Sequence, residues 1–146
     1  MDQAPNDSPL VKVAFRDEGG EIETLWAFHL GENRYQLDNT PWYQYGVSWR
    51  DVIEAEPEEP DEMPYYKRVL SKSGYRTVRV ALEEPASDEF LERIKALGCS
   101  FEGATRKYLA IDIPPNRGLR VVTEFLTKEG VRWEYADPIY EDIADH

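Results

Sequence analysis

The period of the apolar residues changes once along this chain, and that change limits the folds it can adopt. Val11, Val13 and Phe15 alternate with Lys12, Ala14 and Arg16, and Ile22, Thr24, Trp26, Phe28 and Leu30 continue the alternation. A period of two marks a half-buried strand. Asp17-Glu18-Gly19-Gly20 and Gly31-Glu32-Asn33 separate the runs as turns, because glycine accepts positive φ without steric cost. Further short strands are predicted at Arg34–Asp38, Val52–Ala55 and Tyr65–Ser71. Five short strands joined by tight turns predict a small curled barrel or meander.

From about Gly74 onward, strand and helix patterns alternate. A strand over Tyr75–Leu82 leads to Ser87, a good N-cap, followed by Asp88 and Glu89 at the positive end of a helix dipole. Phe90, Leu91, Ile94 and Leu97 share one helix face, and Gly98 follows as a terminator. Cys99–Phe101 and Lys107–Ile113 read as a hairpin turning at Glu102-Gly103-Ala104. Asn116 is placed to cap a second helix, with the stripe Leu119, Val122, Phe125 and Leu126 and the terminator Gly130. Val131, Trp133 and Tyr135 alternate as a last strand. The order β-α-β-β-α-β, with right-handed crossovers, gives a four-stranded antiparallel sheet with both helices on one face, the ferredoxin-like arrangement. The expected fold is therefore α+β in two modules. Residues 1–73 form an acidic β-rich barrel or meander, and residues 74–146 form a ferredoxin-like module with an acidic C-terminal tail.

Charge narrows the partners. The 146 residues carry 29 acids against 17 bases, a net charge of −12. Residues 1–64 hold 15 acids against 4 bases, residues 65–133 hold 9 against 13, and residues 134–146 hold 5 against none. Phosphate repels such a surface, which argues against DNA and against a general RNA-coating role. The β-α-β-β-α-β order also builds the RNA-recognition fold, whose third strand stacks bases on aromatics. Here that strand reads Arg106–Asp112, with Tyr108 its one aromatic and no glycine after Lys107, so RNA is not expected. No apolar run approaches the ~20 residues of a membrane span. Met1–Leu10 holds two aspartates and two prolines and does not read as a signal peptide. The one cysteine, Cys99, suits a reducing, cytoplasmic setting.

No catalytic constellation emerges, and no metal or cofactor is expected. His29 reads as a surface histidine at a strand rim, on the face opposite Trp26 and Phe28, and His146 is the last residue. Cys99 follows a helix C-terminus, whose negative dipole end raises a thiol pKa. Gly19-Gly20 is an isolated turn and not a phosphate loop. Glu23 or Asp38 beside Trp26 are the carboxylates from which an acid/base pair could be built.

Two features point to a binding surface. Trp42, Tyr43, Tyr45 and Trp49 place four aromatics in eight residues, more than one short strand buries on one face. They belong either to packing between the modules or to an interface, where Trp and Tyr are typical anchors. Glu54, Glu56, Glu58, Glu59, Asp61 and Glu62 form the densest acidic stretch, and Pro57, Pro60 and Pro64 make Pro57–Pro64 an exposed loop.

Arg16–Ala27, Tyr35–Ser48 and Asp51–Ala55 resemble the bacterial family known as domain of unknown function 4265, and Tyr45-Gly46-Val47-Ser48 followed by Asp51-Val52 is the most specific part. The resemblance extends to the strand at Thr77–Leu82 and covers nearly the whole chain. It implies a shared architecture and a bacterial cytoplasmic setting. It carries over no catalytic residue.

Three functions stay open. The first is an acidic protein-binding inhibitor, an immunity protein that neutralises a basic interbacterial toxin such as a contact-dependent nuclease, because opposed charge speeds encounter by roughly 10–10³-fold. The second is a ligand-sensing or regulatory module, which a pocket lined by Arg76, Arg79 and Arg106 would favour. The third is an enzyme with a carboxylate site, which a buried carboxylate pair in a cleft would favour.

Overall fold

A computed structural model describes residues 8–139. The expectations placed on the N-terminal leader, on the acidic tail beyond Ile139 and on His146 lie outside the described residues. The chain is α+β. Five strands come first: β1 (Leu10–Arg16), β2 (Ile22–Gly31), β3 (Arg34–Leu37), β4 (Val52–Pro57) and β5 (Pro64–Ser71). They pair antiparallel in sequence order, and β5 returns to meet β1 in parallel at Ala14 and Tyr65, so the sheet closes on itself. The second sheet comprises β6 (Arg76–Ala81), β7 (Ser100–Thr105), β8 (Tyr108–Ile113) and β9 (Arg132–Asp137), in the order β7-β8-β6-β9 with antiparallel neighbours. Helices α1 (Asp88–Ala96) and α2 (Leu119–Lys128) share one core with Val78, Val80, Leu109 and Ile111, so both pack on the same face. No helix among the described residues is long and apolar enough to cross a membrane.

Register decides which side of β2 faces inward. Val13 pairs with Leu25 and Phe15 with Glu23, so the odd positions of β2 share the inner face with Val11, Val13 and Phe15. Leu25 and Ala27 are buried, while Ile22 and Trp26 stand outside at 49% and 42% exposure. The larger apolar set of the alternation thus faces solvent. The interior of a small closed sheet is narrow and already holds Phe15, Tyr35 and Ile53, so it takes the smaller partners. His29 also turns inward at the sheet's end, where it stacks on Tyr35 at 4.5 Å and its Nε2 lies 2.6 Å from the Glu32 carbonyl oxygen.

Three local expectations shift. Pro57 and Pro64 sit at strand ends while Pro60 stays in the loop: β4 runs through Pro57, β5 starts at Pro64, and these two prolines pair. A missing N–H is harmless there. Glu56 therefore joins Glu54 on the strand, and the acidic loop shortens to residues 58–63. Gly103 does not turn the second hairpin, because a bulge between Gly103 and Thr105 absorbs it. The turn is Arg106-Lys107, held by the Lys107 N–H donating to Thr105 Oγ1 at 3.0 Å. Gly118, not Asn116, is the N-cap of α2 and offers no side-chain bond.

The helix ends follow the sequence. Ser87 Oγ accepts the Phe90 N–H at 3.1 Å. Gly98 and Gly130 terminate the helices at φ of +88° and +74°, a region that charges any other residue roughly 1 kcal/mol or more. A Cβ at Gly130 meets open space, whereas one at Gly98 runs into the Arg117 guanidinium. Urea unfolding should show Gly130→Ala and Gly98→Ala each losing about 1 kcal/mol, because the Arg117 guanidinium near Gly98 ends a flexible side chain that can swing aside. Unchanged stability in both variants would contradict the positive-φ terminators.

Candidate functional site

The segment linking β3 to β4, residues 38–51, lies across the face of the second sheet that the helices leave open. Alternation along β6 sends Val78 and Val80 to the helices and Thr77 and Arg79 to this face. Arg79 is 1% exposed. Its guanidinium donates to the Pro41 carbonyl at 3.3 Å and to the Gln44 carbonyl, and it lies 4.9 Å from the centre of the Tyr45 ring. From β8, Tyr108 donates its hydroxyl to the Trp42 carbonyl at 2.7 Å. Asp112 accepts the Thr40 hydroxyl at 2.5 Å, and Glu102 on β7 accepts the Thr40 N–H at 2.9 Å. From the first sheet, the Glu23 carboxylate gathers the N–H groups of Trp42, Tyr43 and Gln44 at 2.7, 3.2 and 3.1 Å. The segment is thus gripped from both sides, and side chains satisfy the N–H groups of Thr40, Trp42, Tyr43 and Gln44 and the carbonyls of Pro41, Trp42 and Gln44 without regular structure.

At the far end of this segment five side chains lock the sheets together. Lys72 Nζ lies 2.6 Å from both Asp51 Oδ2 and Asp137 Oδ2. Ser48 donates its hydroxyl to Asp137 at 2.5 Å and shares a hydrogen bond with Thr77 Oγ1 at 2.7 Å. Asp51 also accepts the N–H groups of Ser48 and Ser73 at 2.8 Å each. Burial works against the Lys72 charge, but Asp137 and Asp51 outweigh it and leave its pKa raised. The two carboxylates are a buried pair, but both oxygens of Asp51 and the Oδ2 of Asp137 are taken by donors, and the pair seals a seam rather than lining a cleft.

The grip on residues 40–46 leaves Tyr43 and Tyr45 outside, 55% and 48% exposed. Tyr45 donates its hydroxyl to both Glu134 oxygens at 2.9 Å, and burial together with that carboxylate raises its pKa. Tyr43 stacks on Tyr108 at 5.7 Å. Both tyrosines line an open cleft of about 1120 Å³ between the sheets, walled by Arg16–Gly19 on one side and Trp133–Tyr135 of β9 on the other. A smaller hollow of about 340 Å³ adjoins it behind Tyr43, lined by Phe15, Ile22 and Glu23. The cleft carries Asp17, Glu18 and Glu134. Its Arg16 is engaged by Glu58 in a two-pronged bond at 2.9 and 3.1 Å.

The sequence-predicted residues therefore divide. Tyr43 and Tyr45 reach the cleft, and Glu58 reaches it through Arg16. Glu56, Glu59, Asp61 and Glu62 are exposed on the strand and loop beside Glu58. Glu54 turns to Arg68 at 2.5 Å. Trp42 and Trp49 are half-buried. Trp49 packs edge-on against Tyr75 at 4.9 Å under the Arg50 guanidinium, and the Trp42 Nε1 is buried with no hydrogen-bond partner. Asp17, Glu18, Glu134 and the Trp133 edge had no signal in the linear pattern, because they meet only through long-range pairing. Glu23 spends its carboxylate on the three N–H groups of the linking segment. Burial pushes the Cys99 thiol up to about 11, which suits packing. Arg76, Arg79 and Arg106 do not converge: Arg76 donates to the Pro114 carbonyl, Arg79 to Pro41 and Gln44, and Arg106 to Ala86. Among the described residues no group of three or more His, Cys, Asp or Glu is placed to hold a metal.

The overall fold is shared with a solved structure described as a "Novel crystal structure of a hypothetical protein from Neisseria gonorrhoeae". That likeness has a TM-score of 0.74 at 15% identity and covers 93% of this chain and 99% of the other. No curated protein matches the sequence. The model of the family described as Domain of unknown function (DUF4265) matches residues 23–135, and the chain belongs to that family. The match runs from β2 into β9 and takes in the segment between the sheets, while β1 precedes it.

Asp112 gives this contact a pH signature. Burial pushes its carboxyl up to about 7, aided by the Glu102 charge and opposed by the Thr40 hydrogen bond. The folded chain keeps this proton where the unfolded chain, with a carboxyl near ~4, has lost it. Stability therefore falls as pH rises from ~4 to about 7 and levels off above. Asp112→Asn keeps the acceptor for Thr40 and removes the ionisation. Urea unfolding should show the variant gaining on the parent as pH rises through that window. A difference independent of pH would contradict the assignment.

Proposed function

We propose that this protein is a non-catalytic binding protein whose acidic, tyrosine-bearing cleft receives a basic protein surface. Its finer form is an immunity protein that neutralises a basic interbacterial toxin in the bacterial cytoplasm, built on a curled β-barrel joined to a ferredoxin-like module. The observation that carries the reading is the position of Arg16. Its side chain lines the cleft with Tyr43 and Tyr45 and is also clamped by Glu58 at the start of the acidic loop. Aromatic anchors and acidic rim thus lie side by side, the arrangement of an interface with a few central contacts and a charged border. Exposed acids steer a basic partner and raise its association rate, while the rings set its residence time. The separation of Arg76, Arg79 and Arg106 gives no support to a sensor of small anions.

The test is kinetic, on the partner captured from the native cell and then purified. Glu56, Glu59 and Glu62 replaced together by lysine should slow association, and added salt beyond ~0.15 M should do the same to the parent. Tyr43→Ala should speed dissociation, costing about 2 kcal/mol if the ring is a central anchor. Association indifferent to both salt and the three lysines, with dissociation unchanged in Tyr43→Ala, would overturn the proposal.

A further inference from the structure

The hollow behind Tyr43 has a lining of two unlike parts. Phe15, Ile22 and Tyr43 make one part apolar, and Asp17, Glu21 and Glu23 make the other acidic. No basic residue lines it. Its volume of about 340 Å³ stands at the lower end of ligand sites, a size for a side chain rather than for a large molecule.

The lining is held in place before anything binds. Phe15 stacks on Tyr66 at 4.8 Å and Tyr43 on Tyr108 at 5.7 Å. The turn from β1 to β2 is closed by the Asp17 N–H, which donates to the Glu21 carbonyl at 2.9 Å, and by the Glu21 N–H, which donates to Asp17 Oδ1 at 2.9 Å. That exchange holds the two acidic residues against each other. Their charge is not spent within the chain. Among the described residues, Asp17, Glu21 and Glu23 form no ion pair with a base. Glu23 is met by N–H groups, and the neighbouring Arg16 is taken by Glu58. Like charges gathered beside apolar surface are unfavourable, and a cation relieves them.

We propose that this hollow seats one arginine side chain of the basic partner, its stem on Phe15 and Ile22 and its guanidinium against Tyr43 and the carboxylates of Asp17 and Glu21. The proposal rests on the reading given under Proposed function and names the residue that anchors that partner. An inorganic cation leaves the apolar part of the hollow uncovered. A lysine stem covers it, but the ammonium is more strongly hydrated and presents no plane to the ring, whereas a planar guanidinium serves two carboxylates and an aromatic face together. Tyr43 lines the cleft as well as the hollow, so an arginine seated here continues a chain that lies in the cleft.

The probes are three blocked peptides, acetyl-Gly-X-Gly-amide with X as arginine, lysine or the uncharged isostere citrulline. Each is titrated into the ¹⁵N-labelled full chain through the millimolar range and followed by backbone amide shifts. The arginine peptide should shift the amides of residues 21–23 and 43 to saturation. Lysine should bind more weakly, and citrulline should not saturate. Asp17→Asn combined with Glu21→Gln keeps the oxygen that accepts the Glu21 N–H and removes two charges; it should weaken the arginine peptide about tenfold or more, with a dispersed spectrum showing that the variant folds. Equal binding of citrulline or lysine, shifts confined to other residues, or an affinity unchanged in the double variant would overturn the proposal. Any of these with the salt-dependent association of the captured partner intact would strike the arginine seat alone, and loss of that dependence would strike the acidic cleft as well.

Discussion

One ammonium shared by two buried carboxylates holds the molecule together. Lys72 comes from the crossover between the sheets, Asp51 from the end of the segment before β4 and Asp137 from the end of β9, so a single cation ties three distant stretches of chain. Asp51 is fully buried and Asp137 is 7% exposed. Neither charge is tolerable there without its donors. Removing one partner of a buried charge cluster costs on the order of 3 kcal/mol, here reduced because the Lys72 side chain is 44% exposed. Ser48, Thr77 and Ser73 complete the set with hydroxyl and N–H donors. Specificity is the larger gain. A greasy contact between sheets tolerates sliding, whereas this set of donors and acceptors is satisfied in one alignment.

The cleft depends on that alignment. Arg79 and Glu23 grip residues 41–44 from opposite sheets, and the grip turns Tyr43 and Tyr45 outward. Glu134 holds Tyr45 from β9, and Glu58 holds Arg16 from the acidic loop. The cleft wall is half first sheet and half second. It has no existence in either alone, so anything that loosens the seam also disperses the tyrosines and the acidic rim.

Much of the scaffold was legible in the sequence. The alternation of Val11, Val13 and Phe15, the Ser87 cap and the glycines after each helix are local signals and appear where physics puts them. The facing of β2 was not legible, because a strand with apolar residues on both sides needs its register with β1 to choose a side. The seam was hidden for a related reason. Its bonds join residues 65 and 89 positions apart, and Asp51 and Ser48 look like ordinary loop residues until Lys72 and Asp137 are beside them. A trace was nonetheless present: Tyr45-Gly46-Val47-Ser48 and Asp51 made up the most family-specific stretch, and they are the residues that meet the seam and the cleft.

The central claim is that the two sheets form one cooperative body through this seam, and scanning calorimetry of the unmodified protein at neutral pH tests it most directly. A single unfolding transition whose calorimetric enthalpy equals its van't Hoff enthalpy is the predicted result. Two separable transitions, one for each sheet, would contradict it.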